Sequence, residues 1–238
     1  MSKILVTGGC GYIGSHTIVD LIENGYEIIS IDNFSNSNPL VLEKIYEITG
    51  KKVINYNIDL KDLNSLFNIF KNNDILSIIH FAAFKAVGES VENPLKYYLN
   101  NINGLNTLLN AMEKNKVKNI VFSSSCTVYG NPDAIPVTEQ TPLQPAASPY
   151  GATKQMGESI IKDTAFVASL STILLRYFNP VGAHPSTAIG ELPIGRPQNL
   201  VPAITQTAIG KLATMQVYGD DYDTRDGSCI RDYIHVCD

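Results

Sequence analysis

Short apolar runs recur along the chain, separated by segments whose apolar residues fall three and four positions apart. The runs are Lys3–Thr7, Glu27–Asp32, Lys52–Ile58, Ser77–Ala83, Asn119–Ser125 and Ser171–Tyr177. Several are β-branched and apolar on both faces, as buried parallel strands are. Between them Ile13–Asn24, Pro39–Thr49, Leu60–Phe70, Asn93–Lys114 and Tyr150–Phe166 read as helices. Asn93-Pro94 supplies a cap and a proline at the first helical position. Strands alternating with helices predict an α/β fold with a doubly wound parallel sheet. After Gly182 the pattern changes. Residues 183–199 carry many Pro and Gly and predict a long loop. Asn199–Leu212 reads as a helix, Gln216–Gly219 as a short strand, and Arg231–Val236 as another. This predicts one domain over residues 1–180 and the start of a smaller substrate domain over 181–238. No helix closes that second part, so a truncated piece of a longer protein is expected.

Ligands of such sheets bind beyond the carboxyl ends of the strands. Gly8, Asp32, Asp59, Phe81-Ala82-Ala83, Ser125 and Asn179 all fall at or just past those ends. The first strand runs into Thr7-Gly8-Gly9-Cys10-Gly11-Tyr12-Ile13-Gly14, where Gly9, Gly11 and Gly14 satisfy the G-x-G-x-x-G spacing. A chain that leaves a strand, turns sharply and brings bare backbone against a pyrophosphate has no room for a Cβ. The helix that follows offers free N–H groups and a positive dipole end to the phosphates. Asp32 ends the second strand, where a Rossmann-type unit places the carboxylate that accepts hydrogen bonds from an adenosine ribose. Residues Asn33-Phe34-Ser35-Asn36-Ser37 contain no Arg or Lys to neutralise a 2′-phosphate, so the expected cofactor is NAD and not NADP.

Composition narrows the picture. The 238 residues are 44% hydrophobic with a formal net charge of −5, which argues against a nucleic-acid or membrane-surface binder. No run of 18 apolar residues predicts a membrane span, and the chain enters its first strand without a signal peptide. The four cysteines lack metal spacing and suit reduced thiols in a cytoplasm. No metal site is expected.

Tyr150 and Lys154 stand four apart, on one face of a helix. Of twelve tyrosines only this one has a lysine at i+4. A free phenol titrates near pH 10, and a neighbouring ammonium favours its anion, so the pair predicts a base with a lowered pKa. Ser123-Ser124-Ser125 ends the fifth strand, within reach of the same cleft.

The glycine loop, the serine strand end and the Tyr150/Lys154 pair resemble the extended short-chain dehydrogenase/reductase family. Lys85-Ala86-Val87-Gly88-Glu89-Ser90, Ser123–Gly130, Leu175–Pro185 and Arg231-Asp232-Tyr233-Ile234-His235-Val236 are similar to its UDP-glucose 4-epimerase branch, and the likeness runs from residue 3 to the end. The resemblance implies reversible epimerisation at C4 of a UDP-hexose through a 4-keto sugar, with NAD held tightly throughout. It implies Tyr150 as the base, Lys154 as its partner and nicotinamide-ribose ligand, and Ser125 bonding the 4-oxygen. It implies an NAD site lined by Gly8, Gly11, Tyr12, Ile13, Gly14, Asp32, Asn33, Phe34, Ser35, Asn36, Ser37, Asp59, Leu60, Phe81, Ala82, Ala83, Lys85, Asn100, Tyr177 and Phe178, together with the three catalytic residues. Lys85, Ser125, Tyr150, Asn179, Asn199, Leu200, Val217 and Tyr218 would meet the nucleotide sugar, and Arg231 its diphosphate, as a planar guanidinium suits. A homodimer is also implied.

Two alternatives stand beside this. A nucleotide-sugar 4,6-dehydratase shares the fold, NAD and the Tyr/Lys pair, but the resemblance implies an Asp-Glu pair after the strand-5 hydroxyl, where this chain has Cys126-Thr127. A non-catalytic NAD-binding protein would not need Ser125, Tyr150 and Lys154 together.

Overall fold

The computed structural model describes residues 2–238. Six strands, β1 (Lys3–Thr7), β2 (Glu27–Ile31), β3 (Ile54–Tyr56), β4 (Ile75–His80), β5 (Asn119–Ser123) and β6 (Ser171–Leu175), form one sheet in the order β3-β2-β1-β4-β5-β6. All neighbouring pairs are parallel. This is the doubly wound order, in which strands are added outward on one side of β1 and then, from β4, on the other, opening a crevice between β1 and β4. Five of the strands lie inside their expected runs, and β4 overlaps its run but starts two residues earlier, at Ile75. β3 is shorter than its run: it is an edge with one partner, pairing only through Ile54, Asn55 and Tyr56.

Side chains alternate across the sheet and sort the core into two layers. Leu5, Ile29, Ile31, Ile78 and Ile120 pack with α3 (Leu63–Asn72) and two further helices, α6 (Asn103–Lys114) and α7 (Pro149–Ala168). Ile4, Val6 and Ile28 face the other way, onto Ile18 and Val19 of α1 (Tyr12–Glu23) and Ile45 of α2 (Leu40–Thr49). Ile189, far down the chain, is buried in this second layer.

The helix expected over Asn93–Lys114 forms from Pro94 to Lys114 but is widened by a π turn in its middle. Short helices α4 (Val87–Glu92) and α5 (Pro94–Tyr97) lead into a π turn at Tyr98–Ile102, and only then into α6. Asn93 makes no capping bond with its side chain. The corner is held instead by Tyr97, whose hydroxyl donates to Glu89 at 2.9 Å and accepts from the Ala86 N–H at 3.1 Å. The π turn aims Asn101 inward. Its amide donates to the Phe84 carbonyl at 3.0 Å and to the Thr153 hydroxyl at 3.1 Å, and its oxygen accepts from the Phe84 N–H at 2.9 Å. Asn101 thereby joins the loop after β4 to the helix that carries Tyr150.

Beyond β6, strands β7 (Asn179–Val181) and β8 (Tyr233–His235) pair in parallel as a separate small sheet. Helix α8 (Leu200–Ala208) lies between them in sequence. The strand expected at Gln216–Gly219 does not form, since no strand partners it.

Candidate active site

The glycine turn is built by its own packing. Gly8 has φ +69°, and its N–H donates to the Ile31 carbonyl at 2.8 Å. A Cβ there would stand 2.7 Å from the Ala82 backbone nitrogen, so the end of β1 lies directly against the end of β4. A Cβ on Gly14 would collide with the Gly8 carbonyl oxygen, which is how α1 comes so close to the strand it follows. Gly11 is looser, with that same oxygen at 3.2 Å. Tyr12, Ile13 and Gly14 form the first turn of α1, whose leading N–H groups have no helical acceptor. Behind the turn the Thr7 hydroxyl meets His80 Nδ1 at 2.6 Å. Burial, and then the charge of Lys154, push the His80 imidazole down to about 3, so it stays neutral.

Asp32 is buried at the end of β2. One carboxylate oxygen accepts the Cys10 N–H at 3.0 Å, and the other accepts the Phe34 N–H at 2.9 Å and the Ser37 hydroxyl at 2.7 Å. The residue fixes the glycine turn and the following loop, Asn33 through Ser37, in addition to any ribose it meets. Asp59 follows β3 and bonds the Lys61 N–H at 2.9 Å, with buried Leu60 beside it. Phe81, Ala82 and Ala83 continue from β4, half-buried. Asn100 donates to Asn101 at 3.0 Å, so the π turn brings it beside that loop. These residues fit NAD: a turn without room for side chains, an open helix N-terminus, and a carboxylate one strand over.

Ser125, Tyr150 and Lys154 meet past the end of β5. The Ser148 hydroxyl caps α7 by accepting the Gly151 N–H at 3.1 Å, and Pro149 takes the first position. That start sets Tyr150 and Lys154 one turn apart facing the sheet. Lys154 is buried, and its ammonium donates to the Ser123 carbonyl at 2.6 Å. It lies 5.8 Å from the Tyr150 ring centre. Burial lowers its pKa to about 8. The expected lowering of the Tyr150 pKa is not found: burial raises it to about 12, and the Ser125 hydroxyl, not Lys154, acts against the rise. Desolvating a phenolate outweighs an ammonium whose nearest partner is a carbonyl. Tyr177, after β6, bonds the Ser123 hydroxyl and is near enough to Tyr150 to disfavour its anion further. Phe178, next to it, is half-buried.

A second layer, unread in the sequence, stands behind these groups. Glu158 is buried one turn beyond Lys154. It accepts the Ser124 hydroxyl at 2.6 Å and the Arg176 guanidinium through Nε at 2.8 Å and Nη2 at 2.6 Å. Burial pushes its carboxyl up, but the Arg176 and Ser124 hydrogen bonds hold it below the usual range. The Tyr-x-x-x-Lys spacing extended by one more turn was the available signal for it.

Beyond β6, Asn179 in β7 donates to the Asp232 carbonyl at 2.8 Å and ties that strand to β8. Arg231 precedes β8 and is exposed, and its charge reaches the Cys126 thiol next to Ser125. Asn199 and exposed Leu200 open α8. Val217 and Tyr218 stand on the surface at 78% and 88% exposure, and the Tyr218 hydroxyl bonds only its neighbour Gln216, at 3.0 Å. They are not drawn together with the rest. Lys85 pairs with Glu191 at 3.0 Å, a partner not foreseen.

The family described as GDP-mannose 4,6 dehydratase matches over residues 5–238. A UDP-glucose 4-epimerase of Bacillus subtilis is 55% identical over 236 residues, covering 99% of this chain and 69% of the relative. That of Dictyostelium discoideum is 52% identical over 99% of this chain and 69% of its own. The chain thus spans about seven-tenths of these relatives' length. Among solved structures, the UDP-glucose 4-epimerase of Bifidobacterium longum in complex with NAD+ and UDP superposes with a TM-score of 0.97 at 49% identity, over 99% of this chain and 71% of that one. The Stenotrophomonas maltophila enzyme, with NAD and formylated UDP-arabinopyranose, gives 0.94 at 47% identity, over 100% and 70%. Identities near or above one half over almost the whole chain, joined to a glycine turn and a Ser/Tyr/Lys cluster at one end of the sheet, place this chain in the UDP-glucose 4-epimerase family.

Proposed function

We propose that this protein interconverts UDP-glucose and UDP-galactose by inverting C4 through a 4-keto sugar, as an isomerase that keeps its NAD. The observation that carries the reading is the convergence of Ser125, Tyr150 and Lys154 beside a turn shaped for a dinucleotide. Residues 1–180 hold the cofactor through Tyr12, Ile13, Asp32 and the loop after β4, and residues 181–238 meet the nucleotide sugar. Bound NAD supplies the hydride acceptor and donor for C4. The Tyr150 phenol exchanges the proton of the C4 hydroxyl, and the Ser125 hydroxyl bonds the same oxygen. Lys154, one helical turn away, supplies the positive charge that favours the phenolate as proton transfer proceeds. Arg231, Asn179 and Asn199 grip the UDP end, which leaves the hexose end free to turn over between the two half-reactions.

The family description favours weighing a 4,6-dehydratase. Elimination needs an acid beside Ser125, and the side chains there are the Cys126 thiol, raised in pKa by burial, and the Thr127 hydroxyl. Neither suits the task at neutral pH. Incubation with UDP-galactose and no added NAD, followed by product analysis, separates the readings. UDP-glucose is the expected product. A dehydrated keto sugar would mean the dehydratase, and retained NAD without conversion would mean a binding protein.

We infer also a cytoplasmic homodimer acting on UDP-hexoses, with no nucleic-acid or membrane partner. Exposed Val91, Leu95 and Leu99, at the end of α4, on α5 and in the π turn, support a partner face. Among the described residues no helix is long and apolar enough to cross a membrane.

A further inference from the structure

We propose that Glu191 is a positioning residue for nucleotide-sugar binding, acting through Lys85 and Asn199; this rests on the reading of the site above. One oxygen of Glu191 accepts from both groups, from Lys85 Nζ at 3.0 Å and from Asn199 Nδ2 at 2.5 Å. Lys85 belongs to the loop that leaves β4, on the cofactor side. Asn199 opens α8, on the nucleotide-sugar side. A single carboxylate therefore spans the two halves of the cleft.

Three further observations support this role. The Glu191 side chain is only 11% exposed while Lys85 is 49% exposed, so the carboxylate end of the contact is held out of solvent and the lysine end is open to it. Asn199 sits at the N-cap of α8 yet makes no capping bond with its side chain. An asparagine at an N-cap ordinarily stabilises its helix by bonding the first turn. Here the amide is turned away from the helix and toward Glu191. The third observation is the fixed approach of residue 191. Ala183 and Gly190 form an antiparallel bridge, the His184 N–H donates to the Ile189 carbonyl at 3.1 Å, and Thr187 takes the left-handed turn at φ +62°. Ile189, 4% exposed, plugs into the layer of Ile4, Val6 and Ile18. The Pro- and Gly-rich segment is thus seated on the nucleotide-binding half two residues before Glu191.

Charge explains why the partner is a lysine. Glu191 is close enough to Tyr12, in the first turn of α1, for its charge to raise that phenol's pKa beyond what burial does. A bare carboxylate beside an anion-binding helix end would repel a diphosphate. Lys85 neutralises it, so Glu191 can hold Asn199 without opposing the ligand.

Glu191→Gln keeps the shape and one acceptor but removes the charge. With NAD-loaded protein we expect UDP affinity by calorimetry to fall about 10-fold, the scale of one lost charge-assisted bond. The KM for UDP-galactose should rise in step, kcat should fall by less than that factor, and NAD should be retained. Lys85→Met should add less in the Glu191→Gln background than in wild type, because both changes break one contact. Circular dichroism of each variant guards against a folding defect. Wild-type protein that binds UDP, with Glu191→Gln binding it equally, overturns this inference alone. So does a variant that loses kcat but not KM. Wild-type protein that neither binds UDP nor converts UDP-galactose overturns the functional reading and this inference with it.

Discussion

The ammonium of Lys154 is bonded to the carbonyl of Ser123 and stands 5.8 Å from the ring centre of Tyr150. At neutral pH the lysine is charged and the phenol protonated, since burial holds the first near 8 and the second near 12. Losing the Tyr150 hydroxyl should be the more damaging change. Tyr150→Phe should retain NAD and lose about 10²–10⁴ in kcat, the range for a general acid–base group. Lys154→Met should lose rate and weaken NAD as well. The lysine charge is present below pH 8 and is lost above it, so the support it gives Tyr150 should fade as pH rises through 8. Steady-state rates across pH 6–10 for wild type and both variants check this, with the fade through pH 8 present in wild type and absent from Lys154→Met, and wild-type turnover by Tyr150→Phe would overturn the assignment.

Purified protein should carry NAD, released on denaturation and detectable in the supernatant by enzymatic assay. Asp32→Asn should weaken NAD by about 10-fold or more, because it removes a charged acceptor and leaves three loop donors with a poorer partner. It should also narrow the preference for NAD over NADP. Recovery of NADP from the wild-type protein would refute the argument from Asp32.

Arg176→Met should destabilise the fold by about 3–5 kcal/mol, the usual result of stripping one partner from a buried ion pair. Glu158, 1% exposed, would keep only Ser124 and the distant, exposed Lys162. The double variant Arg176→Met/Glu158→Leu should recover part of the loss. Urea unfolding of the three proteins measures both effects, and a double variant weaker than Arg176→Met would contradict the account.

His80 predicts an acid sensitivity. Its pKa is about 3 in the fold and ordinarily about 6.5, so the unfolded chain binds the extra proton between those values. Stability then rises with pH across that window and is lost as pH falls below about 6.5, by about 2 kcal/mol at pH 5 from this residue alone. Melting curves at pH 8 and pH 5 for wild type and His80→Gln should converge at the lower pH. A gap that widens toward acid pH would contradict this.

The sheet was legible in the sequence because its central strands β1, β2 and β5 are mostly apolar and largely buried on both faces, while the edge strands β3 and β6, more exposed, still carry apolar runs. Gly8, Gly14 and Asp32 were legible because turns and strand ends demand particular residue types locally. Asn101 was not. Its value comes from Phe84 and Thr153, 17 and 52 positions away, and nothing nearby marks it. Glu191 was hidden for the same reason, with Lys85 lying 106 positions back. The apolar Gln216–Gly219 stretch misled because a strand needs a neighbour, and local pattern does not report one. The Tyr150 pKa misled because i+4 spacing brings two side chains near each other but says nothing of the burial that raises the phenol.

The π turn at Tyr98–Ile102 makes the helix around it sensitive to length, not only to sequence. One residue advances an α-helix by about 100°. Deleting a single position there would let the coil run straight through as plain α-helix: the widened turn absorbs one extra residue, so α6 downstream would keep its heading. Leu105, Leu108 and Met112 would stay buried, and the damage would fall on Asn101, which would lose its aim at the Phe84 loop and Thr153. A point substitution in this turn alters one contact, whereas a one-residue deletion would unlatch the loop after β4 from α7 while leaving the core face of α6 in place.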